Sequence, residues 1–376
     1  MVRLLTAGES HGQAVVGVVE GVPAGVPISK EVIDQHLSRR QMGYGRGDRM
    51  KIEKDKIQVL SGIRGGITLG SPIAFTIPNK DYENWKQGMD PFEGDLDYKK
   101  VSHPRPGHAD LAGSIKYGFD DMRHVLERSS ARETTARVAA GSIVGQLLSQ
   151  FNIEVASHVR SIGNVAIENN PVAFEQLKDS ESSLVRCICE KTERLMIKAI
   201  DGAKLEGDTL GGVVEIQVKG LPVGLGSYVQ WDRKLDGKLA GSLMSIQGIK
   251  GVEVGDGFES ALKPGSHVHD EIFYNDADGF YRKTNHAGGI EGGMTNGETL
   301  VLRCAMKPIP TLMKPLNTVN FVSKEAHQAA VERSDTCAVP AAAVVAEAVV
   351  KMTLTEVFLE SFGADSLKEM KRRWNE

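Results

Sequence analysis

Two apolar patterns alternate along this chain and predict a mixture of helices and strands. Ala136, Ala139, Ala140, Ile143, Val144, Leu147, Leu148 and Phe151 return at three- and four-residue intervals, the period of one buried helix face. Just ahead of them, Ser130 and Glu133 have capping-box spacing and predict the helix start. Ser29 likewise heads a helix with Val32, Ile33 and Leu37 on one face. Further helices are predicted over 111–126, 172–178 and 190–201, through Leu235, Leu239, Leu243 and Ile246, and over 340–362, where Pro340 is tolerated in the first turn. Alternating and β-branched runs predict strands over 2–7 and 14–19, joined as a hairpin by the polar turn 8–12. Others are predicted over 57–63, 72–77, 154–162, 210–222, 248–257 and 300–306. Residues 79–100, with Trp85, are polar and read as an excursion over the surface. Residues 103–108 (HPRPGH) contain two prolines, so they form a stiff loop that presents His108 and Asp110.

Composition narrows the class. With 41% hydrophobic and 25% charged residues, the 376-residue chain has an ordinary globular balance. Its length allows one large domain or two. Motif-bearing loops come from the whole length and no repeat or low-complexity linker divides them, so a single domain over 1–376 is expected. The net charge of −4 argues against an electrostatic nucleic-acid binder. Cys187, Cys189, Cys304 and Cys337 show no CxxC or zinc spacing and fit free thiols in a reducing cytosol. No signal pattern opens the chain, and the longest apolar run, 338–350, is too short to span a bilayer. A cytoplasmic protein without a membrane span is expected.

Candidate chemistry lies in the loops. The helix start at 130–134 offers unpaired N–H groups and a positive dipole end to a phosphate, with Arg128 and Arg132 at its flanks. Arg39, Arg40, Arg46 and Arg49 crowd a Gly-rich segment, and guanidinium forks suit carboxylates and phosphates. Ser10 and His11 sit on a Gly-flanked turn. The Gly-rich stretch 285–297 lets backbone N–H groups approach a ligand, although it has neither a Walker nor a Rossmann fingerprint. His267 and His269 would share a strand face, but no third ligand follows at a diagnostic spacing, so no metal is expected. Histidines among arginines suit an anionic substrate that exchanges a proton as phosphate leaves. The RGD triplet at 46–48 is discounted as an adhesion motif, and RNA binding by the Arg–Gly segment is disfavoured by the net charge and the lack of aromatic platforms.

These motifs together carry a resemblance. GESHG at 8–12, GYGRG at 43–47, HPRPGHAD at 103–110, RSSARET at 128–134, GGVVE at 211–215, GLGSYVQWDRKLD at 224–236, GGMTNG at 292–297, MKPIPT at 306–311 and ERSD at 332–335 appear in order. Along essentially its whole length the chain resembles the chorismate synthase family. The resemblance implies an α+β fold: one large β-α-β sandwich domain with helices packed between antiparallel sheets, assembled as a homotetramer. It implies a lyase of the shikimate pathway, serving aromatic amino acid biosynthesis. The reaction converts 5-enolpyruvylshikimate 3-phosphate to chorismate and phosphate by anti-1,4-elimination, and requires reduced FMN without net redox change. His11 would protonate the departing phosphate, His108 would act at the reduced flavin, and Asp335 would assist removal of the ring proton through flavin N5. Ser10, Arg40, Arg46, Arg49, Arg132 and Arg333 would hold the substrate. Arg128, Ser129, Ser130, Gln247, Gly248, Gly292, Lys307, Pro308, Ile309, Pro310, Thr311 and Arg333 would contact FMN. The family also places Arg40 and Arg46 in an NADP site, with NADPH as an indirect reductant; the sequence does not choose between that and substrate. Gln247-Gly248 departs from the alanine or asparagine common in that pair, without removing a backbone contact. The alternative is a flavin-dependent oxidoreductase acting on an anionic metabolite.

Overall fold

In a computed structural model, residues 2–47, 52–168, 171–277, 279–329 and 334–376 are described. Strands β1 (Arg3–Ala7) and β2 (Ala14–Glu20) form the expected hairpin, with Arg3 opposite Glu20. With β3 (Gln58–Val59) and β4 (Ile73–Pro78) they make a four-stranded antiparallel sheet in the order β1-β2-β4-β3. Val15 and Val19 of β2 and Ile73, Phe75 and Ile77 of β4 are buried on alternate positions, as a one-sided sheet requires. A second antiparallel sheet contains β5 (Glu154–Ile162), β6 (Val165–Ala166), β7 (Gly212–Lys219), β8 (Ile249–Val254) and β9 (Leu300–Met306). Its order is β8-β9-β7-β5-β6.

Among the described residues the longer α-helices are α1 (Lys30–Gln41), α2 (Asp110–Tyr117), α3 (Arg123–Ser129), α4 (Thr134–Ser149), α5 (Glu190–Leu205), α6 (Leu235–Met244) and α7 (Val339–Phe362), followed by the C-terminal helix Leu367–Asn375. Ser29 caps α1 by accepting from the Val32 N–H at 3.2 Å. Helix α4 packs on β1 and β2 and against α7; α7 in turn packs on β5 and β7, and α1 touches both helices. Nearly every residue of α7 from Val339 to Thr355 is buried, which is what an all-round apolar helix demands. The α4–α7 crossing is close enough to need glycine: a Cβ on Gly141 would lie 2.5 Å from the Ala348 Cα. Buried apolar residues join into one cluster that runs from Val2 to Met370. Helices and antiparallel sheets together make this an α+β protein.

Local expectations fail where glycine or a tight turn intervenes. The single helix expected over 111–126 is two, α2 and α3, because Gly118 takes φ +71° and ends the first. The helix expected over 172–178 is a 3₁₀ helix, Phe174–Ser182. His267 closes a 3₁₀ turn (Gly265–His267), so it shares no strand face with His269. Among the described residues, no helix is long and apolar enough to cross a membrane, and no group of three or more His, Cys, Asp or Glu residues is placed to hold a metal ion.

Candidate active site

A cavity of about 710 Å³ is lined by segments from all along the chain. The β1–β2 turn supplies Ser10 and His11, and the end of α1 and its following loop supply Arg40 and Arg46. The loop before α2 brings His108, and the end of α3 with the turn leading into α4 brings Ser129, Ser130 and Arg132. Gln247 and Gly248 meet Lys307, Pro308, Ile309, Pro310 and Thr311 along another wall, and Asp335 closes the ring ahead of α7. Residues expected to act together from sequence distances of hundreds of positions therefore share one space.

His11 is held by Glu127, a residue of α3. The Glu127 carboxylate accepts from the His11 backbone N–H through Oε2 and meets His11 Nδ1 through Oε1, both at 2.7 Å. Arg123, one helical turn earlier, lies 3.5 Å from the same carboxylate. Burial alone would raise the Glu127 carboxyl; the His11 hydrogen bonds and the Arg123 charge outweigh it and hold the group below the usual range. Trp85 stacks on the imidazole with ring centroids 4.0 Å apart. Beside it, Ser10 donates its N–H to the Glu127 carbonyl and its hydroxyl to Ser130 Oγ.

His108 has a parallel arrangement. Its Nδ1 lies 2.5 Å from Asp110 Oδ1, and Arg105 grips the same carboxylate through Nε at 2.8 Å. Asp110 is fully buried, which by itself would raise its pKa; the bonds to His108 and Arg105 drive it far down instead. Arg105 also donates to Thr311 Oγ1, tying this loop to the 307–311 wall.

The arginines differ in how they are satisfied. Arg132 donates to Asp55 Oδ1 at 2.7 Å and Asn79 Oδ1 at 2.6 Å. Arg46 pairs with Asp335 at 2.9 Å, and the Gly47 N–H donates to the other Asp335 oxygen at 2.6 Å. Arg40 donates to Thr134 Oγ1 and the Ala131 carbonyl, but its Nη1 is buried without a hydrogen-bond partner and Asp55 is 3.6 Å away. Burial pushes Arg40 down to about 9; Asp55 opposes this, and the Arg132 and Arg46 guanidiniums add to it. The loop carrying Arg46 is pinned by Gly45, at φ +84°, where a Cβ would approach Ile200 of α5 to 2.9 Å.

Not every candidate faces the cavity. Arg128 is exposed, and its guanidinium donates to the Thr6 and Gly8 carbonyls. Gly292 is exposed in the turn between Ile290–Glu291 and Met294–Thr295. Arg49 and Arg333 lie outside the described residues. The capping box is half formed: Ser130 Oγ accepts from the Arg132 N–H, while Glu133 turns to Thr6, Arg137 and Gln247. Sequence reasoning missed Glu127, Trp85, Asp55 and Arg105. A glutamate on a short helix and a tryptophan in a polar stretch carry no periodic signal; only adjacency to RSSARET and HPRPGHAD pointed toward Glu127 and Arg105.

Ionisable side chains that converge on a walled cavity from distant segments are the build of an enzyme active site. The family model described as chorismate synthase matches residues 2–359. A chorismate synthase from Alkaliphilus metalliredigens (strain QYMF) is 61% identical over 374 residues, covering 100% of this chain and 98% of the relative. One from Desulforamulus reducens is 56% identical over 382 residues, with the same coverage. A solved structure titled "Crystal Structure of Chorismate Synthase" superposes with a TM-score of 0.81 at 40% identity, covering 100% of this chain and 96% of that one. The chain belongs to the chorismate synthase family.

Proposed function

We propose that this protein is a lyase of the shikimate pathway that converts 5-enolpyruvylshikimate 3-phosphate to chorismate and phosphate by anti-1,4-elimination, with reduced FMN and no net redox change. One observation carries the reading: two histidines, each bonded to a buried carboxylate, share a cavity with the Arg40, Arg46 and Arg132 guanidiniums. Such a wall suits a substrate with carboxylate and phosphate groups. Arg40 and Arg46 line the same space as Ser10 and His11, which favours substrate over NADP at that position.

The residues present fit FMN. The cavity lies within the span of about 300–1,000 Å³ typical of small-molecule sites. Gln247 Oε1 is buried there without a hydrogen-bond partner, an acceptor suited to a ligand N–H. Gln247, Gly248, residues 307–311, Ser129 and Ser130 would hold the flavin, and His108 would lie against it. When bound there, reduced FMN would supply the transient electron donation that helps phosphate leave. His11 delivers the proton to the departing phosphate oxygen, and Asp335, kept near the cavity by Arg46 and Gly47, assists removal of the ring proton. Arg40, Arg46 and Arg132 hold the substrate's anionic groups, with Arg49 and Arg333 assigned the same role by motif.

The α4 and α7 layers between the two sheets support the β-α-β sandwich, and the continuous core supports one domain. Tyr228, Val229 and Trp231, which are 70%, 65% and 81% exposed, support association as a homotetramer. We place the protein in the cytoplasm, consistent with its unpaired cysteines. The test is an anaerobic assay with chemically reduced FMN. The lyase releases chorismate and phosphate over many turnovers per flavin; consumption of one reduced flavin per product would establish the oxidoreductase alternative instead. NADPH without another reductant tests whether this chain reduces flavin itself. His11→Ala is expected to bind flavin but lose about 10²–10⁴-fold in turnover, the usual contribution of a general acid.

A further inference from the structure

We infer that Glu127 is a positioning residue for the reaction: it fixes the His11 ring and its Nδ1 proton, so that Nε2 is the atom that gives up a proton. This rests on the assignment of His11 as proton donor. The Glu127 carboxylate is 4% exposed and is held ionised by its surroundings, so it acts only as an acceptor. Its two oxygens meet two different atoms of one residue, the backbone N–H and Nδ1 of His11, each at 2.7 Å. An ionised carboxylate at that distance requires a proton on Nδ1. The backbone contact fixes where the residue sits, the ring contact fixes how the imidazole is turned, and the Trp85 face, 4.0 Å away, fixes its plane. Arg123 and the Ser10 N–H, which donates to the Glu127 carbonyl, hold Glu127 in turn.

Proton bookkeeping follows from this geometry. The doubly protonated ring gives its Nε2 proton to the phosphate oxygen as the carbon–oxygen bond breaks and its electron pair leaves with that oxygen. The ring is left as the Nδ1–H tautomer, the form that Glu127 stabilises, and solvent returns the proton. A glutamine at 127 has one acceptor oxygen and one N–H₂ group. It cannot accept from both His11 donors, and its amide favours the opposite tautomer, the effect that amide substitution has in serine-protease triads.

Glu127→Gln is therefore expected to lower kcat by about 10²-fold or more, within the span of a general-acid contribution, with FMN binding and KM little changed. Glu127→Asp, which keeps the charge, recovers part of that loss. Histidine-selective ¹⁵N NMR, with His11 assigned by the signal lost in His11→Asn, shows Nδ1–H in the wild-type neutral ring and a shift toward Nε2–H in Glu127→Gln. Wild-type kcat in Glu127→Gln alongside an inactive His11→Asn overturns the role of Glu127 alone. Full turnover in His11→Asn overturns the assignment of His11 itself. If Glu127→Gln does not fold, the wild-type spectrum decides: an Nε2–H tautomer in the native enzyme overturns the inference.

Discussion

Arg39 and Arg40 are neighbours in the last turn of α1, yet their side chains end in opposite electrostatic settings. Arg39 donates to both oxygens of Glu347 at 2.9 and 3.0 Å and to both oxygens of Glu181 at 2.9 and 2.5 Å. Burial would lower it, but those two carboxylates drive its pKa well above the ordinary value. Arg40, on the cavity side, has one carboxylate at 3.6 Å, two guanidinium neighbours and a buried nitrogen without a partner. Evolution of stability alone would satisfy both equally, since an unpaired buried charge is costly. A guanidinium nitrogen buried at a cavity wall without a partner is a donor that the anionic group of a ligand can satisfy. The Arg39 cluster, with Arg186, Lys351, Ser157 and Glu347, ties α1 to α7 and β5, and in it the Arg39 guanidinium is met by two carboxylates.

This contrast predicts different kinds of damage. The largest effect should come from Glu347→Ala, which removes the buried carboxylate shared by Arg39, Arg186 and Lys351 and leaves the two arginines with Glu181 alone. Breaking a buried pair costs about 3–5 kcal/mol, so the urea midpoint should fall sharply while KM of the folded fraction holds. A normal midpoint with a raised KM would show that the Arg39 cluster serves the site and would dissolve the comparison. Arg40→Met should do the reverse. Losing hydrogen bonds to a charged ligand costs about 1.5–3 kcal/mol, or roughly ten- to a hundredfold in KM, with a midpoint shift far smaller than that of Glu347→Ala. Isothermal titration with substrate and with FMN separates the two ligands, and equal weakening of both would remove Arg40 from the substrate wall.

Asp335 sharpens the comparison from the other side of the cavity. It is the carboxylate that pairs with Arg46, so a holding part stands beside the part proposed for it in removing the ring proton. Asp335→Asn keeps the shape and removes basicity. Turnover should drop and the isotope effect with substrate deuterated at the departing ring proton should rise; a drop without that rise would leave Asp335 as a holder of Arg46 only.

The last effect, smallest near neutral pH, concerns His36, whose Nδ1 lies 2.9 Å from Arg39 Nη1, a contact that needs the ring nitrogen as acceptor. Burial, then the Lys351 and Arg39 charges, push its pKa down to about 3. In the unfolded chain it returns to about 6.5. Between those values the unfolded state binds the extra proton, so this contribution to stability is intact above about 6.5 and declines as pH falls through the window. His36→Gln should flatten the loss of stability between pH 6.5 and 3 in urea titrations. An unchanged slope would assign the acid sensitivity to other groups.

Much of the fold was legible because burial writes a period into the chain. The face of α4, the β1–β2 hairpin and strands β5 and β9 follow directly from spacing. The breaks at Gly118 and in the 172–178 segment were not, since a helical run of the right composition does not reveal where a left-handed residue or a tighter turn interrupts it. Among site residues, the Gly-flanked His11, the Pro-stiffened His108 and the arginines of the 39–49 segment were visible by their unusual settings. Glu127, Asp55 and Trp85 were invisible, because a carboxylate or an aromatic ring looks the same in sequence whether it meets solvent or a histidine from another element.

The sequence by itself determined the α+β class, the principal helices and strands, the family, and the loops that hold the candidate chemistry. These depend on local periodicity and on contiguous motifs. Only the tertiary structure decided which of two adjacent arginines is neutralised, that Asp335 anchors Arg46, and that Glu127 stands behind His11. It also left Arg128 and Gly292 exposed, outside the cavity lining. Those outcomes depend on distances between residues up to several hundred positions apart, and electrostatic and hydrogen-bond energies are set by those distances rather than by order along the chain.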